Sequence, residues 1–216
     1  MENNQFYKNR ALESLEGKWT IGVVAALIAV LISQGVSILA TTPMGQLEGS
    51  SFSCLWAMLC LPLSWGFSVF FLNLIRNNDI RYERLFDGYR DIIRIGVTEL
   101  LRCFFIAFGF ILFIVPGVIL GLMFSQTSFI MKDDPNIGYI DAMMKSAQMM
   151  KGHKWRLFWL TLSFTGWIIL ACLSLGIGFL MLAPYWFSTT AHFYEDLKAE
   201  ANRQGSQFQQ FKRNVW

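Results

Sequence analysis

The chain has 216 residues, of which 54% are hydrophobic and only 15% are charged, and its formal net charge is +3. Soluble domains carry about a quarter charged residues, yet between Trp19 and Ile75 this chain has no Lys or Arg and a single acid, Glu48. One water-soluble core could not bury so long an apolar tract, which excludes an ordinary soluble domain and predicts an integral membrane protein.

The first apolar segment, 19–40, follows a mostly polar head of eighteen residues. A cleavable signal peptide has an apolar core of ~7–15 residues behind a short basic stretch. This segment is instead long enough to cross the ~30 Å hydrocarbon layer. Ala40 also offers a poor cleavage site, so we expect a retained transmembrane helix.

Six segments are apolar enough to cross or enter a bilayer, and they pair into three hairpins. They are 19–40, 53–75, 97–115, 117–131, 156–175 and 177–193. Short turns rich in Pro and Gly join the second pair at Pro116-Gly117 and the third at Gly176-Ile177-Gly178. The predicted fold is an all-α integral membrane protein with six transmembrane helices in one membrane domain. Its hairpin repeats cover about 1–75, 76–131 and 132–196, and a polar cytoplasmic tail covers 197–216.

The second hairpin leaves an alternative open. Its segments of 19 and 15 residues would be ~28 and ~22 Å long as helices. A re-entrant hairpin that dips into the bilayer and returns would fit these lengths, although a thinned bilayer would also permit a full crossing.

The basic residues predict the orientation. All 18 Lys and Arg residues lie on one side of this scheme, in or bordering the polar stretches, with Arg102 just beyond the second stretch. The connections within hairpins contain none. Because positive charge near helix ends is retained in the cytoplasm, both termini are predicted to be cytoplasmic.

A cytoplasmic amphipathic helix is predicted before each hairpin. The stretch 76–96 has an apolar face at helical spacing, and in 132–155 Asp134-Pro135 is a predicted helix start. A basic amphipathic helix beside a span lies in the headgroup layer; packing against the cytoplasmic face of the bundle is the alternative. The predicted lipid-interface cations are Arg81, Arg84, Arg90, Arg94, Lys151, Lys154 and Arg156.

Several motifs carry a family resemblance from about residue 80 onward. They are Phe86-Asp87-Gly88, Pro116-Gly117, Asp134-Pro135, Met150-Lys151-Gly152-His153-Lys154-Trp155-Arg156, Leu162-Ser163-Phe164, Gly166-Trp167, Pro184-Tyr185 and Phe193-Tyr194-Glu195-Asp196-Leu197. Together they resemble an uncharacterised family of bacterial integral membrane proteins, domain of unknown function number 975. The resemblance implies a location in the bacterial cytoplasmic (inner) membrane and brings no functional residues with it.

Ionisable and polar side chains inside a membrane are costly and are therefore functional candidates. The candidates here are Glu99, Arg102, Gln34, Gln126 and His192. Glu99 and Arg102 are three residues apart and could pair on one helix face, either as a proton- or ion-coupled gate or as a neutralised pair near the interface. His192 with Glu195 and Asp196 has metal-compatible spacing, but a solvated helix end is the preferred interpretation.

No pattern for catalysis, a cofactor or a metal centre rises above these weak signals. The four cysteines lie in apolar segments without ligand spacing. The leading functional hypothesis is therefore a non-enzymatic scaffold whose basic cytoplasmic face binds anionic lipid headgroups, a partner protein or a second copy of the chain. A small-solute transporter or channel is the alternative, a membrane enzyme is a remote one, and no nucleic-acid partner is expected.

Overall fold

The computed structural model describes residues 4–41, 50–78, 80–174 and 176–215, with side chains described at 4–33, 56, 58–78, 80–174 and 176–203. Within these ranges all regular structure is helical and there is no strand. The elements are α1 (Asn4–Leu15), α2 (Trp19–Thr41), α3 (Ser50–Ile75), a 3-10 helix (Tyr82–Tyr89), α4 (Ile92–Leu112), α5 (Ile114–Met123), α6 (Thr127–Asp133), α7 (Tyr139–Met149), α8 (Lys154–Leu173) and α9 (Gly178–Val215).

Four to five stretches of the described chain are long and apolar enough to cross a membrane. Four are Met58–Ile75, Ile92–Leu112, Ile114–Asp133 and Lys154–Leu173, and the bent pair Asn4–Leu15 plus Trp19–Ser33 would make a fifth. The predicted segment 177–193 forms the first part of α9 but is not among them. The described part of the chain is thus all-helical, with four to five stretches apolar enough to span a membrane, while the count of six stays a prediction.

The second hairpin differs from its prediction in where its helices begin and turn. Its first helix, α4, starts at Ile92 rather than at residue 97 and has 21 residues, which gives a length of ~31 Å. The predicted turn at Pro116-Gly117 is wrong, because the chain reverses at Phe113, whose backbone is extended with φ −165°. Pro116 instead lies in the first turn of α5, where a missing backbone N–H costs nothing.

The predicted amphipathic helix of 76–96 is not one α-helix. A 3-10 helix covers Tyr82–Tyr89. Ile92 and Ile93, which belong to the predicted apolar face, lie in α4. The 3-10 helix lies against α3 at backbone contact, since a Cβ on Gly66 would overlap the carbonyl oxygen of Leu85 and one on Gly88 would overlap that of Pro62. The segment therefore packs on the bundle through two glycines.

The predicted helix start at Asp134-Pro135 is also wrong. Asp134 follows the last residue of α6, and its carboxylate accepts a hydrogen bond from the backbone N–H of Asn136 at 3.3 Å. That turn uses the Asp carboxylate locally, and α7 begins only at Tyr139, after Gly138. The amphipathic helix predicted within 132–155 is therefore α7, a helix of eleven residues.

The first helix folds back onto the last one. The chain bends by 96° between α1 and α2, at Gly17, which has a left-handed φ of +72°. Tyr7, Ala11 and Leu15 are buried, so α1 packs on the bundle with one face. Gly152, with a φ of +84°, occupies the same place two residues before α8. A left-handed glycine thus joins the short helix to the long one in the first and third repeats.

Candidate membrane-interface site

A cleft of about 540 Å³ lies where the start of α4 meets the turn before α7. It is lined by Arg90, Asp91, Ile92, Ile93, Arg94, Val97, Asn136, Ile137, Gly138 and Tyr139. Two of the predicted lipid-interface cations, Arg90 and Arg94, are therefore brought to one cavity. The others are not part of its lining.

Two helix N-termini also open into this cleft. The residue before α4 is Asp91 and the residue before α7 is Gly138, and neither makes a side-chain capping hydrogen bond. The first backbone N–H groups of an α-helix have no partner within the helix and carry a partial positive charge. With the two guanidinium groups beside them, they are donors suited to an anion such as phosphate.

Two acidic groups reduce the positive charge of the cleft, namely Asp91 and Asp141, and the Asp141 carboxylate lies beside Gly138 at the start of α7. Arg94 lies 3.7 Å from Asp91, whose side chain is 61% exposed. Arg94 also donates to the carbonyl oxygen of Ile137 at 3.4 Å. This second contact ties α4 to the turn before α7 and fixes one wall of the cleft. Arg90 is exposed at the mouth of the cleft.

Exposed apolar side chains surround the charged part of the cleft. Ile93 is 80% exposed and Ile140 is 55% exposed, while Ile92 and Tyr139 are each 44% exposed. Isolated exposed apolar residues are ordinary, but a group of them beside cations is typical of a surface at a bilayer interface. The cleft therefore combines cationic side chains with an exposed apolar surface.

The remaining predicted cations are engaged elsewhere or stand apart. Arg84 pairs with Asp87 at 3.1 Å, and Arg156 pairs with Glu200 at 3.2 Å. Arg81 lies 3.7 Å from Glu83 on the exposed side of the 3-10 helix. Lys151 is exposed and Lys154 half-buried, at the start of α8. The seven cations thus do not form one continuous patch.

The predicted pairing of Glu99 with Arg102 is present in α4, at 2.7 Å. Glu99 is almost completely buried, with 1% of its surface exposed. Ser128 of α6 joins the pair, because it donates to Glu99 at 3.0 Å and accepts from Arg102 at 3.2 Å. The backbone carbonyl of Ser128 accepts from the indole of Trp65 at 3.1 Å, so this cluster connects α3, α4 and α6.

The other intramembrane candidates lie apart from that cluster. Gln126 is fully buried just before α6, and its side-chain N–H donates to Ser125 at 2.9 Å. His192 lies within 2.7 Å of the Ser14 hydroxyl on α1. The side chain of Gln34 lies outside the described residues.

The metal interpretation of His192, Glu195 and Asp196 finds no geometric support in the described chain. Glu195 bonds to Arg76 at 2.6 Å and Asp196 to Arg10 at 3.1 Å. No group of three His, Cys, Asp or Glu residues able to hold an ion occurs among the residues searched. The acids at this end of α9 thus serve as partners for arginines.

A five-residue network that sequence reasoning did not assemble lies where α3, α6 and α9 end or pass each other. Arg76 donates to both oxygens of Asp133, at 2.6 and 3.0 Å, and to Glu195 at 2.6 Å. Asp133 also accepts from Tyr194 at 2.9 Å and from Lys198 at 2.5 Å. The available signal was the position of Asp133 and Glu195 after two apolar segments, with Arg76 after a third.

Comparison with known proteins gives one match. Residues 102–201 match the family described as Protein of unknown function (DUF975), which confirms the predicted resemblance over those residues. No curated protein and no solved structure matches the chain.

Proposed function

We propose that this chain is a non-enzymatic protein of the cytoplasmic membrane that binds an anionic phospholipid headgroup in the Arg90–Arg94 cleft. The family match assigns no activity. The observation that carries the proposal is the meeting of two guanidinium groups and two uncapped helix N-termini in one cavity. A phosphodiester satisfies such donors directly.

The surroundings of the cleft favour a lipid over a free anion. The exposed side chains of Ile92, Ile93 and Tyr139 would enter the boundary between headgroups and acyl chains, where amphipathic segments gain most from burial. A cation near an anionic membrane surface contributes about 1 kcal/mol. The two arginines therefore suffice for a preference among headgroups, while the spans provide the anchoring.

This proposal includes the predicted topology of six spans with both termini in the cytoplasm. One-sided placement of Lys and Arg supports it. The length of α4, at ~31 Å from its 21 residues, supports a full crossing of the second hairpin rather than a re-entrant one. The cleft would then lie at the cytoplasmic interface.

The test is headgroup selectivity of the full-length protein. Purified protein is reconstituted in bilayer nanodiscs containing phosphatidylcholine with a minor fraction of phosphatidylglycerol, and retained lipid is counted by native mass spectrometry. For the variant Arg90→Gln/Arg94→Gln we expect roughly thirtyfold weaker retention of phosphatidylglycerol, from the loss of two contributions of ~1 kcal/mol. The preference should also fall as salt is raised, because the interface is partly screened.

The matched control removes two other exposed charges, in the variant Arg81→Gln/Lys151→Gln. It has the same net charge as the cleft variant but leaves the cleft intact, so it should retain the wild-type preference. If both variants lost the preference for phosphatidylglycerol equally, the overall charge of the protein would explain the preference, and a specific site would be contradicted. Unchanged selectivity in the cleft variant would also refute the proposal.

A transporter or channel is the second candidate, and one buried cluster favours it. Glu99 and Arg102 on α4 form a cluster with Ser128 on α6. The two residues before Ser128, Gln126 and Thr127, have buried side-chain oxygens without a partner among the described residues. Polar groups left open in a membrane often line a solute path. If this hypothesis is correct, Glu99→Gln abolishes proton flux into dye-loaded proteoliposomes; the absence of any flux in the wild-type protein would remove it.

Neither candidate is an enzyme. A catalytic site would need several of the titratable groups at one cavity, but Glu99, His192 and Glu195 have different partners, namely Arg102, Ser14 and Arg76. These contacts support structural roles for the three groups.

A further inference from the structure

A second cavity, of about 530 Å³, lies between α2, α3, α8 and α9, away from the cleft at α4. Its size falls within the range of small-molecule sites. Small side chains leave the space: Ala26 and Ala29 on α2 and Ala183 on α9. Larger apolar and aromatic residues form the rest of the wall, including Leu63 and Phe67 on α3.

The cavity offers almost no hydrogen bonds. Its three hydroxyl groups donate to carbonyls of their own helices: Ser33 to Val30 at 3.3 Å, Ser64 to Leu61 at 2.8 Å and Thr161 to Leu157 at 2.9 Å. A stable internal water needs two to four polar partners. The three hydroxyl hydrogens are already used, which leaves the Trp186 indole and the Cys60 thiol as the other polar side-chain groups in the lining. The lining therefore selects a hydrocarbon occupant over water or a polar solute.

The mouth of the cavity opens onto the apolar outer surface of the bundle. Val30, Ile168 and Phe179 line the cavity and are each more than 40% exposed. Their neighbours Leu31 and Ile169 are 60% and 58% exposed. Acyl chains of the bilayer cover such a surface when the helices span the membrane.

We infer that one acyl chain of a membrane phospholipid enters this cavity and remains there as a bound lipid. An empty apolar space of this size would forfeit dispersion contacts along its whole lining, and the acyl chains are the hydrocarbon already at its mouth. The site is separate from the Arg90–Arg94 cleft in residues and in chemistry. It rests on the membrane location included in the proposed function, but not on headgroup binding.

The test uses phosphatidylcholine with a diazirine in the middle of one acyl chain as a trace component of nanodiscs that contain the full-length protein. After illumination, cross-linked residues are mapped by mass spectrometry. We expect labelling of cavity residues such as Leu63 and Phe67 in addition to the exposed outer surface. In the variant Ala29→Phe, which narrows the cavity, labelling of these residues should fall several-fold, because the added aromatic ring takes up part of the space that the acyl chain would occupy.

The matched control is Ala107→Phe, the same substitution at an exposed position of α4, and it should leave cavity labelling unchanged. If Ala29→Phe does not fold, a competition measurement on the wild-type protein tests the same site. In detergent micelles, adding unlabelled phosphatidylcholine should compete with the diazirine lipid for the cavity, so cavity labelling should fall to a plateau. Labelling of the outer surface should fall only in proportion to the dilution of the diazirine lipid.

Two results would overturn the inference: no labelling of Leu63 and Phe67, or cavity labelling that dilutes in parallel with the outer surface. The variant Arg90→Gln/Arg94→Gln separates this site from the headgroup site, since it should lose headgroup selectivity and keep the cavity cross-links. Loss of both in that variant would show that the acyl chain is held only through its headgroup, which would contradict an independent site.

Discussion

At the scale of single residues, Arg76 is the cation that the fold uses most heavily. It bonds to Asp133 and Glu195, and the hydrogen bond to Asp133 raises the pKa of Arg76 above its ordinary value despite partial burial. The guanidinium therefore stays charged at every accessible pH, and only substitution can remove its charge. Since Asp133 ends α6 and Glu195 belongs to α9, one side chain connects the end of α3 to α6 and α9.

We expect Arg76→Gln to destabilise the protein by about 2 kcal/mol, because the half-buried Asp133 keeps only Tyr194 and Lys198 as partners. Thermal unfolding in detergent measures this. The control Arg81→Gln removes a cation from an exposed pair and should change stability by less than ~0.5 kcal/mol. The double variant Arg76→Gln/Asp133→Asn should recover part of the loss; a double variant as unstable as the sum of both single changes would contradict the pairing.

Residue-scale prediction from sequence succeeds where partners are close along the chain. Glu99 and Arg102 are three residues apart, so helical geometry alone brings them together. Ser128, which completes that cluster, is distant along the chain, and the five residues of the Arg76 network come from three distant segments. No local pattern specifies such contacts, because they depend on how the hairpins pack.

At the scale of elements, the contact between α3 and the 3-10 helix depends on two glycines. Gly66 on α3 faces Leu85, and Gly88 on the 3-10 helix faces Pro62, with backbone against backbone in both cases. Such an approach leaves no space for any side chain. It explains why this basic segment lies along the bundle rather than free in the headgroup layer.

We expect Gly66→Ala and Gly88→Ala each to cost about 1–3 kcal/mol, since a methyl group would push the two elements apart. The matched control is Gly96→Ala in α4, where a Cβ meets nothing within 4 Å and should stabilise the helix by ~0.5–1 kcal/mol. Midpoints of thermal unfolding give the comparison. If all three substitutions had the same effect, the close packing of the 3-10 helix would be refuted.

The sequence indicated where helices occur better than where they end. Apolar segments marked the long helices, but the second hairpin turns at Phe113 instead of Pro116-Gly117, because proline is compatible with either a turn or a first helical turn. Likewise, the spacing of apolar residues across 82–93 fits one α-helix, whereas tight packing against α3 is compatible with the 3-10 geometry seen at Tyr82–Tyr89.

At the scale of the whole molecule, α1 joins the first repeat to α8 and α9 of the third. Arg10 pairs with Asp196, and Ser14 with His192. Lys8 donates to the backbone of Ser163 on α8 and lies 4.5 Å from the ring centre of Phe164. The first repeat therefore contacts the third directly.

The full crossing of the second hairpin can be tested with cysteine labelling in intact cells. In a chain whose four native cysteines are replaced by serine, Phe113→Cys should react with an impermeant maleimide added outside, because the α4–α5 turn is highly exposed. Gly138→Cys should react only after permeabilisation. A Phe113→Cys chain that is unlabelled until the cells are opened would show a re-entrant hairpin.

The left-handed glycines before α2 and α8 have a stereochemical consequence. A Cβ at Gly17 or at Gly152 would meet nothing within 4 Å, so the obstacle to a side chain there is the handedness of the backbone and not crowding. A mirror-image D-alanine, introduced by chemical ligation, would adopt these angles without strain and restrict the unfolded chain. Its L counterpart would oppose the bend, so chirality alone would decide whether the short helix folds back.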